Sequence, residues 1–248
     1  MKNPITRNKT AWEYRAYEFW NQRDGSPADK AKEIRNDPGA SLKKHQHLFK
    51  EVTGKKIANL CGSNGRKAVP LALLGADVTV FDISQANRHY ALELAACAGT
   101  EIEYIVGDIY EVDLKTYRHQ FDLLYLEGGI LHYFHDLEAF AVILHTLLKP
   151  GGKLILSDYH PLKHCISEDL QYIPHFFNPE PYEADVAYQS YFDPAEQLDF
   201  PKVLLRHYTL SEIMNTVIRS GFTLQQFDEH PGWKGENIPW EFTLVATA

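Results

Sequence analysis

From about residue 55 onward the apolar positions gather into short runs of strand length: Lys56 to Leu60, Asp77 to Phe81, Ile102 to Val106, Phe121 to Leu126 and Lys153 to Ser157. Helical patterns lie between most of them. Ser84 can cap a helix through Tyr90, Ala91, Leu94 and Ala95 that stops at Gly99. Asp136 can open another through Phe140, Ile143, Leu144 and Leu147 before Pro150 and Gly151. This alternation predicts an α/β fold whose parallel sheet is covered on both faces. Its crossovers are right-handed, and ligands bind at the carboxyl ends of its strands.

Two segments fall outside the alternation, and a substrate would be recognised there. In residues 1–50, Trp12, Tyr14, Tyr17, Phe19 and Trp20 crowd one predicted helix, and Ser26-Pro27 reads as the start of another. Residues 161–206 form an insertion with six prolines. Its surroundings, residues 159–208, hold ten Phe or Tyr, too many for a flexible linker, so the insertion is expected to fold. Beyond it, Thr209 and Glu212 make a capping box for a helix ending at Gly221. Two closing strands follow, Phe222 to Phe227 and Trp240 to Thr247.

With 248 residues, 44% hydrophobic and 23% charged, the chain can bury a core without disulfides or structural metal, and it reads as one domain over 1–248. Its parts are a helical lid (1–50), a cofactor-binding core (51–160), a cap insertion (161–206), and a final helix with an antiparallel strand pair (207–248). The three cysteines are widely spaced and suit a reducing compartment. No run of 18 apolar residues occurs and the first 20 residues are charged, so a cytoplasmic protein without a membrane segment is expected. The net charge of −8 disfavours a nucleic-acid surface. The first 50 residues carry 11 Lys and Arg against 6 Asp and Glu, but the acids are interspersed throughout.

The chemistry collects at the predicted strand ends. Strand Lys56 to Leu60 runs into Cys61-Gly62-Ser63-Asn64-Gly65-Arg66, small residues where backbone must approach a ligand. Asp82 ends the second strand 20 residues after Gly62, a spacing that suits a carboxylate bonded to ribose hydroxyls. Gly107-Asp108-Ile109 follows the third strand and Glu127-Gly128-Gly129 the fourth. With Asn59-Leu60-Cys61-Gly62, Phe81-Asp82-Ile83-Ser84, Phe121-Asp122-Leu123-Leu124-Tyr125 and Leu148-Lys149-Pro150-Gly151-Gly152, this series resembles the class I S-adenosylmethionine-dependent methyltransferases, in their small-molecule methylase-like branch. The resemblance covers about residues 50–158 and 203–248.

It implies a Rossmann-like doubly wound seven-stranded sheet in the order 3-2-1-4-5-7-6 and S-adenosylmethionine as cofactor, with S-adenosylhomocysteine as product. Asn59, Cys61, Gly62, Ser63 and Gly65 would form the loop, Asp82 would hold the ribose, and Ile83 and Ile109 would flank the adenine. Asp108 would accept from its amine, and Glu127 would lie near the methionine end. The family's first motif reads acid-x-Gly-x-Gly-x-Gly, whereas here Asn59, Cys61 and Ser63 replace the acid and two glycines. Cys61 and Ser63 fit only if the loop does not demand positive φ there.

His132 and His160 are the candidate general bases or substrate anchors, since both follow strands that reach the catalytic edge. Packing explains either equally well. No metal site is expected. Trp12, Tyr14, Tyr17 and Trp20 are the candidate lid and substrate residues, facing an acceptor that is partly planar or apolar. Rival readings are an RNA methyltransferase, a nicotinamide dehydrogenase, which lacks its GxGxxG here, and a non-catalytic cofactor-binding module of the same fold.

Overall fold

A computed structural model of the chain describes residues 4–167, 169 and 171–248. Helices α1 (Pro4–Glu13), α2 (Ala16–Asp24) and α3 (Pro27–Asn36) precede β1 (Lys56–Leu60), α4 (Ala68–Leu73), β2 (Asp77–Asp82), α5 (Gln85–Ala98) and β3 (Glu103–Val106). Then come α6 (Leu114–Tyr117), β4 (Phe121–Glu127), α7 (Leu137–Leu147), β5 (Leu148–Tyr159), β6 (Tyr182–Ala184), β7 (Val203–Leu205), α8 (Leu210–Arg219), β8 (Thr223–Pro231) and β9 (Pro239–Thr247). The main sheet has seven strands in the order β3-β2-β1-β4-β5-β9-β8. This is the expected 3-2-1-4-5-7-6 order, renumbered because the short pair β6-β7 makes a separate sheet within the insertion.

The chain divides into two compact units: residues up to Val112 with Ala184–Val203, and Asp113–Glu183 with Leu204–Ala248. The insertion is thus shared, its later part, 184–203, belonging to the same unit as the N-terminal helices. In the first unit β1, β2 and β3 are parallel, pairing Leu60 with Phe81 and Asp82 with Val106. Their carboxyl ends therefore stop together and place Cys61, Asp82 and Gly107 along one edge. Buried Ile57, Leu60, Val80, Tyr90 and Leu94 fix that layer. As the sequence predicts, Ser84 caps α5 by accepting from Asn87 N, Gly99 ends it at φ 76°, and Ser26 caps α3 with Pro27 in its first turn.

The predicted helix carrying Trp12 to Trp20 is instead two helices. Arg15 breaks it at φ 53°, a backbone region that only local bonding makes tolerable for a non-glycine residue. Its guanidinium bonds Glu18 at 2.7 and 2.5 Å and Glu196 at 2.9 Å, and lies 4.2 Å from the Phe192 ring centre. Buried Tyr188 fills the break, with its hydroxyl 2.8 Å from Ala11 O and 2.6 Å from Tyr14 O at the open end of α1. Trp12 and Phe19 pack on Tyr188, and Tyr14 on Phe200.

In the second unit β4 and β5 run parallel, with β9 antiparallel to β5 and β8 antiparallel to β9. Asp136 caps α7, and the Thr209/Glu212 capping box opens α8. Gly129, at φ 74°, turns the chain after β4 so close to Tyr159 that a Cβ there would lie 2.3 Å from the ring. No helix of the described residues is long and apolar enough to cross a membrane.

Candidate functional site

The loop after β1 is held at its ends by backbone and at its middle by a carboxylate. Cys61 N donates to Phe81 O at 2.7 Å, and Ser63 N donates to Asp82 Oδ2 at 3.0 Å. The Tyr104 hydroxyl donates to Ser63 O at 2.7 Å, and Asn64 Nδ2 reaches back to Asp24 Oδ2 at 2.8 Å. Gly62 admits no side chain, since a Cβ would sit 2.6 Å from Asn59 Oδ1 and 2.7 Å from Val80 Cγ1. Gly65, at φ 79°, lets α5 approach until a Cβ would meet that of Ala91 at 2.9 Å. Asn59 therefore lies beneath the loop, 2% exposed.

The structure corrects the expectation for the two substituted glycines. Cys61 and Ser63 both adopt φ 51°, so the loop does demand the left-handed region and these side chains endure it. Each such residue costs about 1–2 kcal/mol. The Ser63 hydroxyl is buried without a hydrogen-bond partner among the described residues, so it does not offset the strain. Ser63→Gly is therefore expected to raise stability by about 0.5–1 kcal/mol, the relief being reduced by glycine's larger unfolded-state entropy. Equilibrium urea unfolding checks this; an unchanged or lower midpoint would contradict the strain.

Asp82 is 9% exposed and already carries three bonds: Ser63 N on Oδ2, and Ser84 N at 3.0 Å and Asn87 Nδ2 at 3.1 Å on Oδ1. A carboxylate has about four acceptor sites, which leaves one, on Oδ2, for a ligand hydroxyl. Burial raises its pKa, and those three bonds oppose the rise. Asp108 differs. Its Oδ1 accepts from Tyr110 N at 3.0 Å, while Oδ2 is buried with no hydrogen-bond partner among the described residues. Burial raises its pKa as well. Ile83 is half-buried and Ile109 buried at the same edge.

Glu13 is a residue that the sequence reading missed. At the last position of α1, it accepts from Ser84 Oγ at 2.8 Å, Gln85 N at 2.7 Å and Ala86 N at 3.0 Å, capping α5 one turn from Asp82. No local signal marks it, because its partners are over 70 residues away in sequence. Trp20 Nε1 donates to Asn87 Oδ1 at 2.7 Å, so a lid residue orients the amide that holds Asp82. Tyr17 bonds Glu93 and packs on Tyr90. Trp12, Tyr14, Tyr17 and Trp20 are thus each engaged in packing or hydrogen bonding within the first unit.

In the second unit, Glu127 ends β4 half-buried. Asp158 anchors the following turn by accepting from Ile130 N at 2.9 Å, Leu131 N at 2.8 Å and Tyr159 N at 2.6 Å, and burial pushes its pKa up to about 6. His160 is hydrogen-bonded at one ring nitrogen and close to a carboxylate at the other. Nδ1 accepts from Leu162 N at 3.2 Å and Nε2 lies 3.1 Å from Glu229 Oε1, so the ring caps the short turn Pro161–Cys165. His132 belongs to a different group. It stacks on Tyr159 and meets His164 edge-on, and His164 stacks on His207 with ring centres 4.0 Å apart. Desolvation holds His132 and His164 down at about 3 and His207 at about 4, with repulsion from neighbouring histidines and Lys163 added for the first two and from His175 for the third. Imidazoles so weakly basic are poor general bases at neutral pH, although they keep hydrogen-bonding capacity.

His164, Tyr182 and Lys163 also escaped the sequence reading. Lys163 Nζ sits 3.1 Å from the Tyr159 ring centre and 4.9 Å from that of Trp233, and desolvation lowers its pKa to about 8. Only the high aromatic content of the insertion signalled such a cluster. Among the described residues no group of His, Cys, Asp or Glu is arranged to hold a metal ion.

Residues 60–156 match the model of a methyltransferase domain. Over 108 residues the chain is 32% identical to phosphoethanolamine N-methyltransferase 1 of Zea mays, a match covering 43% of this chain and 21% of that protein. The chain thus spans about a fifth of the length of the curated relatives it matches. Among solved structures, an S-adenosylmethionine-dependent methyltransferase from Mesorhizobium loti superposes with a TM-score of 0.65 at 21% identity, covering 86% of this chain and 100% of that one. Magnesium protoporphyrin IX methyltransferase from Synechocystis, solved with S-adenosylhomocysteine bound, gives 0.62 at 15% identity and 99% coverage of both chains. At these identities the structural likeness establishes the fold.

Proposed function

We propose that this chain, which belongs by its methyltransferase domain and its fold to the class I S-adenosylmethionine-dependent methyltransferases, binds that cofactor at the carboxyl edge of β1, β2 and β3 and methylates a small molecule. The observation that carries the reading is Asp108 Oδ2, a buried acceptor with no hydrogen-bond partner among the described residues at a strand end. An unmet buried carboxylate oxygen is costly and suits an amine donor from a ligand. Asp108 accepts from the adenine amine there, with Ile83 and Ile109 against the ring. Asp82 offers its remaining Oδ2 site to a ribose hydroxyl, and the Gly62 turn lets backbone approach closely. When bound, the cofactor supplies an activated methyl group on sulfonium. The protein's task is then to align the acceptor and exclude water, which orientation alone can make worth roughly 7–11 kcal/mol.

A small acceptor is supported by the charge of −8 and by the names of the matched proteins, which act on phosphoethanolamine and magnesium protoporphyrin IX. The many aromatic side chains favour an acceptor that is planar or apolar in part. The test is incubation of the purified chain with methyl-labelled S-adenosylmethionine and an RNA-free metabolite extract. Label entering small molecules, and suppressed by S-adenosylhomocysteine, is the expected result. Label entering added RNA alone would overturn the small-molecule reading, and binding without transfer would overturn the enzymatic one.

A further inference from the structure

The second unit contains a cavity of about 260 Å³ that nothing in the cofactor reading uses. Phe176, Phe177 and Pro179 form an apolar side; His207, Thr209 and Glu212 form a polar one. The volume exceeds the roughly 150 Å³ that holds a benzene ring, so one ring with a substituent fits.

The polar side presents no free charge. Glu212 is neutralised by Arg206 Nη2 at 3.0 Å, and its other oxygen accepts from Thr209 N at 2.8 Å and Thr209 Oγ1 at 3.0 Å. His207 is fixed on two sides, stacked on His164 and bonded through Nε2 to the Tyr182 hydroxyl. The Tyr182 phenol is pushed up to about 12 by burial, so the hydroxyl that meets Nε2 is uncharged. With Nε2 taken by Tyr182, Nδ1 is the ring nitrogen that no described residue engages, and it offers a ligand a hydrogen bond in either tautomer. Three half-buried imidazoles pack here against aromatic rings and one another, and withdrawing polar rings from water without carboxylate partners costs stability. Phe177, at the apolar side, is 83% exposed and meets Phe176 edge-on at 4.9 Å, so its outer face is open to a ligand ring.

We infer that this cavity binds an uncharged one-ring aromatic compound bearing a hydroxyl or carbonyl oxygen, with the ring against Phe176 and Phe177 and the oxygen on His207 Nδ1. The inference concerns the second unit alone and is tested without the methyl donor, so its failure leaves the cofactor reading untouched. Calorimetric titration of the full chain with phenol and with benzyl alcohol at pH 7.5 should give dissociation constants of about 1 mM, ordinary for ligands of this size. Benzoate should bind at least about tenfold more weakly, because the cavity offers its charge no counter-ion. Phe177→Ala alters an exposed side chain and should leave the fold intact while weakening phenol about fivefold, and His207→Leu should weaken it about tenfold. Absence of phenol binding by the parent chain, benzoate binding as tightly as phenol, or an unchanged affinity in Phe177→Ala would each overturn the proposal.

Discussion

Lowering the pH from 7 to 4.5 is expected to remove on the order of 5 kcal/mol of stability, enough to unfold an ordinary domain of this size. The cause is the imidazole group of the second unit. His132 and His164 titrate at about 3 and His207 at about 4 in the folded chain, whereas an unfolded histidine titrates near 6.5. Their folded pKa values are depressed, so below pH 6.5 the unfolded chain takes up protons that the folded chain refuses. Each histidine then favours unfolding by about 2–3 kcal/mol at pH 4.5. Asp158 acts in the opposite direction. Its folded pKa of about 6 lies above the unfolded value, so it gains a proton in the fold first and returns about 2 kcal/mol over the same interval. Urea midpoints measured between pH 7.5 and 4.5 should fall steeply below 6.5, and His164→Phe should flatten the fall. A midpoint independent of pH in this range would show that the imidazoles are not held uncharged.

Asp82→Ala should damage the first unit twice over. Its carboxylate holds Ser63 N, Ser84 N and Asn87 Nδ2, and truncation leaves three donors facing a buried gap at about 1–3 kcal/mol each. Removing a desolvated charge offsets part of that loss, since burial already raises the Asp82 pKa. A net destabilisation of about 3 kcal/mol is expected, together with loss of S-adenosylhomocysteine binding, because the loop carrying Cys61 to Gly65 loses its anchor. Urea unfolding and calorimetry on the same preparation separate the two effects. A variant as stable as the parent that still binds within about threefold would show that this carboxylate organises neither the loop nor the ribose site.

These effects divide the molecule by what its sequence discloses. The strand ends were legible because apolar runs and their terminating residues are local. Lys56 to Leu60 is β1 as read, and Ser84, Asp136 and Thr209 cap the helices they announce. Parallel pairing then carries Asp82 and Asp108 to one edge by geometry alone. The break at Arg15 was not legible, since its left-handed backbone depends on Glu196 and Phe192, about 180 residues away. Glu13 was hidden for the same reason. The histidine group illustrates a further limit. His132, His164 and His207 are spaced like ordinary surface residues, and only the folded insertion turns them into a stack. For Cys61 and Ser63 the sequence could state only the condition, that they fit if the loop does not demand positive φ; the tight turn over Asn59 and Val80 places both at positive φ.

The most direct test of the central claim is the affinity of Asp108→Ala for S-adenosylhomocysteine, measured by calorimetry beside the parent chain. This carboxylate has one oxygen without a partner and spends the other on a single turn, so truncation costs the fold only about 1 kcal/mol. A hydrogen bond from the adenine amine to a buried charged oxygen contributes about 1.5–3 kcal/mol. The parent chain is expected to bind, and the variant, still folded by thermal unfolding, to bind at least about tenfold more weakly. Equal affinities, or a parent chain that does not bind, would contradict a cofactor site at the edge of β1, β2 and β3.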